Sequence, residues 1–265
     1  SRASSRIKIL ISTWSFFPSV IIMLTQSAKG AFFLSLALFF SSILIVKLFN
    51  NDFRILTKAT VITALKVFLV AIPLVILSFM SRGLTDASTE YIIWKLSSYL
   101  VSYSFGHIYT FSDWFGWYIG DQSILMYVSK DISFGFYNFI ALFELFGQGI
   151  EVPKGIFDDY YLHNEFLKSN IYSIFRGVVL DFGIFGSFIY MFILGLIFNF
   201  GFYVFLSVKK PIFSIVLFVF FIGFVYQSYI ISIFIYNTTY LTMLLLYLIF
   251  LLNYLLVNIN YKKQS

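Results

Sequence analysis

Long apolar runs, separated by short polar connections, occupy both ends of the chain and predict membrane-spanning helices. A helix needs about 20 consecutive apolar residues to cross the hydrocarbon core of a bilayer. Six segments approach that length, the first being the shortest: Ile9–Leu24, Ala31–Phe49, Val61–Phe79, Phe182–Leu206, Ile212–Tyr236 and Tyr240–Val257. We therefore expect an all-α polytopic membrane protein with about six transmembrane helices in this chain.

The middle of the chain interrupts this pattern and divides the sequence into three parts. Residues 1–79 hold the first three predicted helices, 80–181 form one large loop, and 182–265 hold the last three. Within the loop, Tyr91–Tyr103 has apolar positions at helical spacing, as an interfacial helix has. The apolar run Phe134–Gly147 is too short to span a bilayer and is expected to be interfacial or re-entrant. A loop of about 100 residues is far longer than an ordinary connection, which indicates a functional segment.

Basic residues orient the predicted helices. If the six helices alternate in direction, ten lysines and arginines fall on one side: Arg2, Arg6, Lys8, Lys47, Arg54, Lys58, Lys209, Lys210, Lys262 and Lys263. The positive-inside rule makes that side cytoplasmic, so both ends of this chain are expected inside and the large loop outside. Eleven of the twelve acidic residues lie in that loop.

Composition agrees with a membrane protein and excludes several kinds of chemistry. Apolar residues make up 60% of the chain and charged residues only 11%, which is unlike a soluble domain. With no cysteine and two histidines, the chain offers no disulfide and no Cys- or His-rich metal site. It carries no P-loop or dinucleotide fingerprint, and its basic charge follows membrane topology, so no nucleic-acid partner is expected. Because it begins without Met or a signal-peptide pattern, we expect the C-terminal part of a longer protein.

Two arginines bracket the large loop. Arg82 follows the third predicted helix and Arg176 precedes the fourth. Arginines at helix ends often anchor a protein to lipid phosphates. Alternatively, because a guanidinium fork suits bidentate phosphate binding, the pair could hold the diphosphate of a lipid substrate. Asp181 lies near the predicted membrane boundary and is a candidate binding residue, with Arg176 as its expected partner.

Both histidines lie in the loop among polar and aromatic residues. His107 and Asp113 are six residues apart in "FGHIYTFSDWF", where the tryptophans and tyrosines indicate either an interfacial aromatic belt or a sugar-binding site. His163 follows two aspartates and precedes Asn164. This stretch is either a solvated turn or a site where His163 acts as a general base on a sugar hydroxyl and Asn164 binds the substrate.

The segments "YSFGHIYTFSDWF" and "NIYSIFRGVVLDFGIFGSFIY" resemble the Wzy-type polymerases of bacterial oligosaccharide repeat units, over roughly residues 80 to 205. The resemblance implies a C-type glycosyltransferase of the bacterial inner membrane that makes O-antigen or capsular polysaccharide without a metal or another cofactor. It implies undecaprenyl-diphosphate-linked oligosaccharides as substrates, with membrane lipids, a flippase and a chain-length regulator as partners. By the same resemblance, Arg82 and Arg176 would bind the diphosphate and His163 would be the catalytic histidine.

Two other functions stay open at the level of sequence. An O-antigen ligase uses the same donor with a different acceptor. A polysaccharide transporter or flippase is expected to carry polar residues along several helices and an inverted repeat. Neither of those features is visible here, and the polar residues concentrate in one loop, which favours an enzyme.

Overall fold

Most of the chain is helical. The computed structural model describes residues 5–25, 29–54, 57–80, 84, 87–120, 127, 131–147, 156–157, 159–163, 166–209 and 211–264. The helices are α1 Ser5–Thr25, α2 Lys29–Phe49, α3 Lys58–Met80, α4 Thr89–Gly120, α5 Ile140–Leu145, α6 Ser173–Ser207, α7 Ile212–Gln227 and α8 Asn237–Gln264. A short 3-10 helix, Ile233–Ile235, precedes α8. Two three-residue strands, β1 Tyr161–His163 and β2 Leu167–Ser169, are the described β-structure.

Within the described residues, four helices are long and apolar enough to cross a membrane: Gly30–Phe49, Thr60–Met80, Ser173–Ser207 and Asn237–Leu256. The other two predicted spans correspond to shorter apolar helical segments, Trp14–Thr25 and Ile212–Gln227. A helical membrane protein is therefore the shared conclusion of the sequence and the structure.

The fifth predicted span is shorter than expected. The apolar run continues to Tyr236, but α7 ends at Gln227 and turns follow it. The carbonyl of Ser228 accepts a hydrogen bond from the amide of Ile174 at 2.8 Å. The backbone after α7 thus satisfies a donor at the start of α6, which a continuing helix would not do.

The chain forms two compact units, Ser1–Ser98 and Tyr99–Ser265, and the boundary falls within α4. In the first unit, α1, α2 and α3 pack around the buried side chains Met23, Phe32 and Ala71. The Ser78 hydroxyl on α3 donates to the carbonyl of Met23 at 3.1 Å, so a polar contact joins two apolar helices.

Helix α4 is much longer than the predicted interfacial helix Tyr91–Tyr103, because it continues through the polar stretch to Gly120. His107 and Asp113 therefore lie on one helix instead of in a loop. The β1–β2 hairpin packs along this helix in the second unit: the Ser102 hydroxyl accepts from the amide of Lys168 at 3.2 Å. Close approach is possible at Gly106, whose missing Cβ would lie 2.8 Å from Ser169.

Helix α6 consists of two parts that meet at Gly183. This glycine has φ 68° and ψ 176°, which interrupts the helix. From Ser173 to Asp181 every residue except Phe175 is buried, whereas most side chains from Ile184 onward are exposed or half-buried. The part after Gly183 is about 36 Å long at 1.5 Å per residue, enough to span a bilayer alone. The predicted span beginning at Phe182 thus falls at the break.

Candidate arginine site

A buried ion pair lies at the start of α6. Nη2 of Arg176 donates to Oδ2 of Asp159 at 2.6 Å, with 8% of the arginine side chain and 23% of the aspartate side chain exposed. Arg176 is in the first turn of α6, where the helix dipole is positive and favours an anion nearby. A cation at this position is disfavoured unless a carboxylate or another anion accompanies it.

Among the described residues, four aromatic rings surround the guanidinium of Arg176 and form what we call the aromatic cage. The Cζ atom of Arg176 lies 4.0 Å from the ring centre of Phe157, 4.1 Å from that of Tyr172, 5.2 Å from that of Tyr127 and 5.6 Å from that of Trp114. Ring faces attract cations, and the interaction contributes about 2 kcal/mol or more when the pair is desolvated. Trp114 is fully buried, so the interpretation of this residue as an interfacial anchor is wrong.

The ion pair leaves much of the arginine's hydrogen-bonding capacity unused. Nε and Nη1 of Arg176 are buried and have no acceptor among the described residues. Buried donors in folded proteins are almost always paired, and an unpaired one costs about 1–3 kcal/mol. The site therefore has the donors, charge and burial to bind an additional anionic oxygen.

Tyrosine hydroxyls connect the cage to the two acidic residues beside it. The Tyr127 hydroxyl donates to Oδ2 of Asp113 at 2.9 Å. The Tyr172 hydroxyl donates to the backbone carbonyl of Asp159 at 3.1 Å. Burial raises the pKa of both tyrosines above the ordinary value, so they remain protonated donors. Asp113 and Arg176, both predicted binding residues, are thus brought to one cluster through Tyr127.

Asp181 does not pair with Arg176, which corrects the partner expected from their spacing. Its fully buried carboxylate accepts four hydrogen bonds, from the Ser133 hydroxyl, the Tyr137 amide, the Asn138 amide and the Asn138 side chain, at 2.6–2.9 Å. Arg176 pairs instead with Asp159, because residues five apart on a helix point in different directions.

His107 lines a separate cavity of about 500 Å³. The other walls are Ile108, Phe111, Ser112, Phe115, Ser173, Phe175, Ser228 and Tyr229. The imidazole meets the Tyr229 ring edge-on at 5.5 Å, and its Nδ1 is buried without a partner among the described residues. Burial lowers the pKa of His107, which favours the neutral imidazole. The cavity can therefore hold an uncharged group with both apolar and hydroxyl surfaces.

A smaller cavity of about 200 Å³ borders the cage. Phe157 and Tyr172 line it, together with Ile156, Asn170, Ile171, Ile230, Ile231 and Tyr236. These two rings are also the closest to the guanidinium, so the cavity and the Arg176 site share them.

Other predicted site residues lie outside the described part of the chain. This applies to Arg82 and Asn164, and to the side chain of His163, whose backbone belongs to β1. Within the described part, no group of three or more histidine or acidic residues could hold a metal ion.

Sequence reasoning missed the roles of Tyr127, Tyr172 and Asn138. Their buried polar contacts depend on residues far away in sequence. Asp159 was visible only as one of two adjacent aspartates before His163. The high local density of tyrosine and tryptophan was the available signal for the cage.

Comparison of the chain with protein-family models, curated proteins and solved structures gives no match.

Proposed function

We propose that this protein is a membrane glycosyltransferase that polymerises undecaprenyl-diphosphate-linked oligosaccharide repeat units. The observation that carries the proposal is the buried Arg176, whose Nε and Nη1 have no acceptor among the described residues. A diphosphate supplies the missing acceptors, and guanidinium groups bind phosphate oxygens with charge-assisted hydrogen bonds. The exposed apolar part of α6 begins at Ile184, three residues after Asp181, so a lipid-linked diphosphate is the anion that fits this position.

In the proposed reaction, a hydroxyl of the acceptor sugar attacks the anomeric carbon of the donor. The new bond joins the acceptor oxygen to that carbon, and the bond from the carbon to the diphosphate oxygen breaks. The departing undecaprenyl diphosphate takes the electron pair, while a base, proposed to be His163, takes the hydroxyl proton. Negative charge grows on the diphosphate during this step, so Arg176 stabilises the transition state more than the ground state.

The neighbouring residues suit the sugar part of such a substrate. Asp113 and the tyrosine hydroxyls offer hydrogen-bonding groups beside aromatic rings. The described walls of the cavity lined by His107 and Ser112 include no lysine, arginine or acidic residue. We propose that these two regions bind the glycan.

We place this chemistry on the external face of the bacterial cytoplasmic membrane, because the basic residues of the connections mark the opposite side as cytoplasmic. The chain has no cysteine, so single cysteines can be introduced without further changes. Tyr160, 51% exposed, and Phe53, 66% exposed, are suitable positions. A membrane-impermeant maleimide is expected to label Tyr160→Cys in spheroplasts, and Phe53→Cys only after lysis. The reverse result contradicts the orientation.

The activity is tested with purified protein in lipid nanodiscs and a lipid-linked repeat unit. Arg176→Ala and Arg176→Lys should each reduce the polymerisation rate on the order of a hundredfold, because lysine lacks the planar fork. Arg54→Ala is the matched control. Arg54 is exposed, pairs with Asp52 at 3.0 Å and lies in a connection far from Arg176 in the sequence. Wild-type protein that makes no polymer, or an Arg176→Ala variant at the wild-type rate, refutes the proposal.

The products also distinguish a polymerase from a ligase. A polymerase extends the lipid-linked repeat into a ladder of longer chains without any core acceptor. Glycan transfer only after addition of a lipid A core acceptor would instead identify a ligase.

A further inference from the structure

Asp181 lies at the interrupted end of the buried part of α6. The break at Gly183 leaves carbonyl groups of the preceding turn without partners in the helix. The amide of Ser133 donates to the carbonyl of Leu180 at 3.0 Å, and the amide of Phe134 donates to that of Asp181 at 3.1 Å. The segment 133–138 therefore caps this helix end through its backbone.

The side chain of Asp181 also binds segment 133–138, in addition to the backbone hydrogen bonds at the helix end. Its four hydrogen bonds come from Ser133, Tyr137 and Asn138, and the carboxylate is 0% exposed. A carboxylate near a helix C-terminus is disfavoured by the helix dipole. Its presence there is explained by the donors that it collects, which are all on segment 133–138.

Segment 133–138 reaches the arginine site through Tyr137. The Tyr137 ring stacks on Phe157, with ring centres 5.3 Å apart and planes at 26°. Phe157 is the ring closest to the Arg176 guanidinium, at 4.0 Å. Tyr137 also lies beside Gly177, the residue after Arg176: an added Cβ there would be 3.4 Å from the Tyr137 Cβ, an ordinary van der Waals contact.

We infer that Asp181 is a positioning residue for the Arg176 site: it fixes segment 133–138 so that Tyr137 holds Phe157 against the guanidinium. The ligand named in its test, undecaprenyl diphosphate, rests on the proposed function. Asp181 thus acts on the bound anion through Arg176 and does not contact the anion itself. This assignment replaces the direct substrate contact expected for Asp181.

The first measurement needs no ligand. Phenylglyoxal modifies accessible arginines, and the rate at each arginine can be followed by mass spectrometry. Arg176 should react slowly in the wild type because it is 6% exposed, while Arg54, whose side chain is 83% exposed, serves as the internal reference. Asp181→Asn places an NH2 donor opposite either the Tyr137 amide or the Asn138 donors, depending on its rotamer, and should raise the Arg176 rate at least fivefold relative to Arg54. Ser133→Ala, which removes one of four donors, should raise it less.

Ser187→Ala is the control variant on the other side of the break. The Ser187 hydroxyl donates to the carbonyl of Gly183 at 2.6 Å, and it is not among the described hydrogen-bond partners of segment 133–138. We expect wild-type modification of Arg176 in this variant. An unchanged Arg176 rate in Asp181→Asn overturns the inference, and so does an equal increase in Ser187→Ala.

The second measurement is the affinity for undecaprenyl diphosphate in nanodiscs. Asp181→Asn should weaken binding at least tenfold in the presence of Arg176. In the Arg176→Ala background, the same change should have no further effect, because a residue that acts through Arg176 is not additive with it. Additive losses show a general structural role and overturn the inference.

The two measurements separate failure of the inference from failure of the proposed function. If the wild type does not bind undecaprenyl diphosphate, the proposed substrate is wrong, and the modification rates alone decide the role of Asp181. If the wild type binds but Asp181→Asn leaves both affinity and modification unchanged, the inference fails and the proposed function stands.

Discussion

Arg176 Nη2 and Asp159 Oδ2 are 2.6 Å apart although seventeen positions separate the two residues in the chain. The β1–β2 hairpin makes this possible, since its antiparallel register pairs Tyr161 with Ser169 and returns the chain towards α6. The hairpin is thus the local structure that brings a carboxylate to the buried arginine.

We expect the ion pair between Arg176 and Asp159 to contribute strongly to the free energy of unfolding. Asp159→Ala leaves the buried guanidinium without its carboxylate, and breaking such a pair from one side costs about 3–5 kcal/mol. The double variant Asp159→Ala/Arg176→Leu should lose less than the sum of the single changes, because no unpaired charge remains. Unfolding free energies in detergent, measured for all four proteins, check this; additive losses would argue against coupling between the residues.

Gly183 should be intolerant of a side chain. Its φ of 68° with ψ of 176° is a backbone region that residues other than glycine rarely adopt, so Gly183→Ala should cost about 1–3 kcal/mol. Gly195 lies in the regular part of the same helix, and nothing is within 4 Å of an added Cβ. Gly195→Ala should therefore be neutral or stabilising by up to about 1 kcal/mol. Thermal unfolding midpoints of the two variants test the contrast, which disappears if α6 is continuous at Gly183.

Gly106 is expected to be required for packing between α4 and β2. An added Cβ would lie 2.8 Å from both Cβ and Oγ of Ser169, so one of the two elements must shift. We expect Gly106→Ala to destabilise the protein by about 1–3 kcal/mol, despite the better helix propensity of alanine. Gly120→Ala on the same helix, where nothing is within 4 Å, is the control. Equal stability of the two variants would contradict the close packing.

His107 should make stability dependent on pH. Because burial lowers its pKa below the ordinary 6.5, the unfolded chain binds the proton more readily than the folded protein. Stability is then fully present above pH 6.5 and decreases as the pH falls through 6.5 towards the lower folded-state pKa. His107→Gln should show a smaller loss between pH 7 and pH 5.5, whereas His163→Gln tests the other histidine. The prediction fails if the wild type and His107→Gln lose stability in parallel.

Several features of the fold follow from local sequence. Apolar runs of sufficient length predict spanning helices whatever their neighbours, because every backbone polar group in lipid must be satisfied within the segment. The predicted fourth span begins at Phe182, beside the observed break at Gly183. This start could be predicted because the glycine and the change in composition are both visible in the local sequence. The full length of α4 was missed because its serines, His107 and Asp113 resemble a polar loop, although they fit helical spacing.

The site itself depended on contacts between distant segments. Sequence alone determined that the chain is apolar, helical and suited to a membrane. It also identified Arg176, Asp181, His107 and Asp113 as candidate binding residues. Only the tertiary structure decided that Arg176 pairs with Asp159, and that Asp181 holds segment 133–138. The physical reason is that burial of apolar surface depends on local composition, whereas a buried charge takes whichever partner the folded chain brings within hydrogen-bond distance.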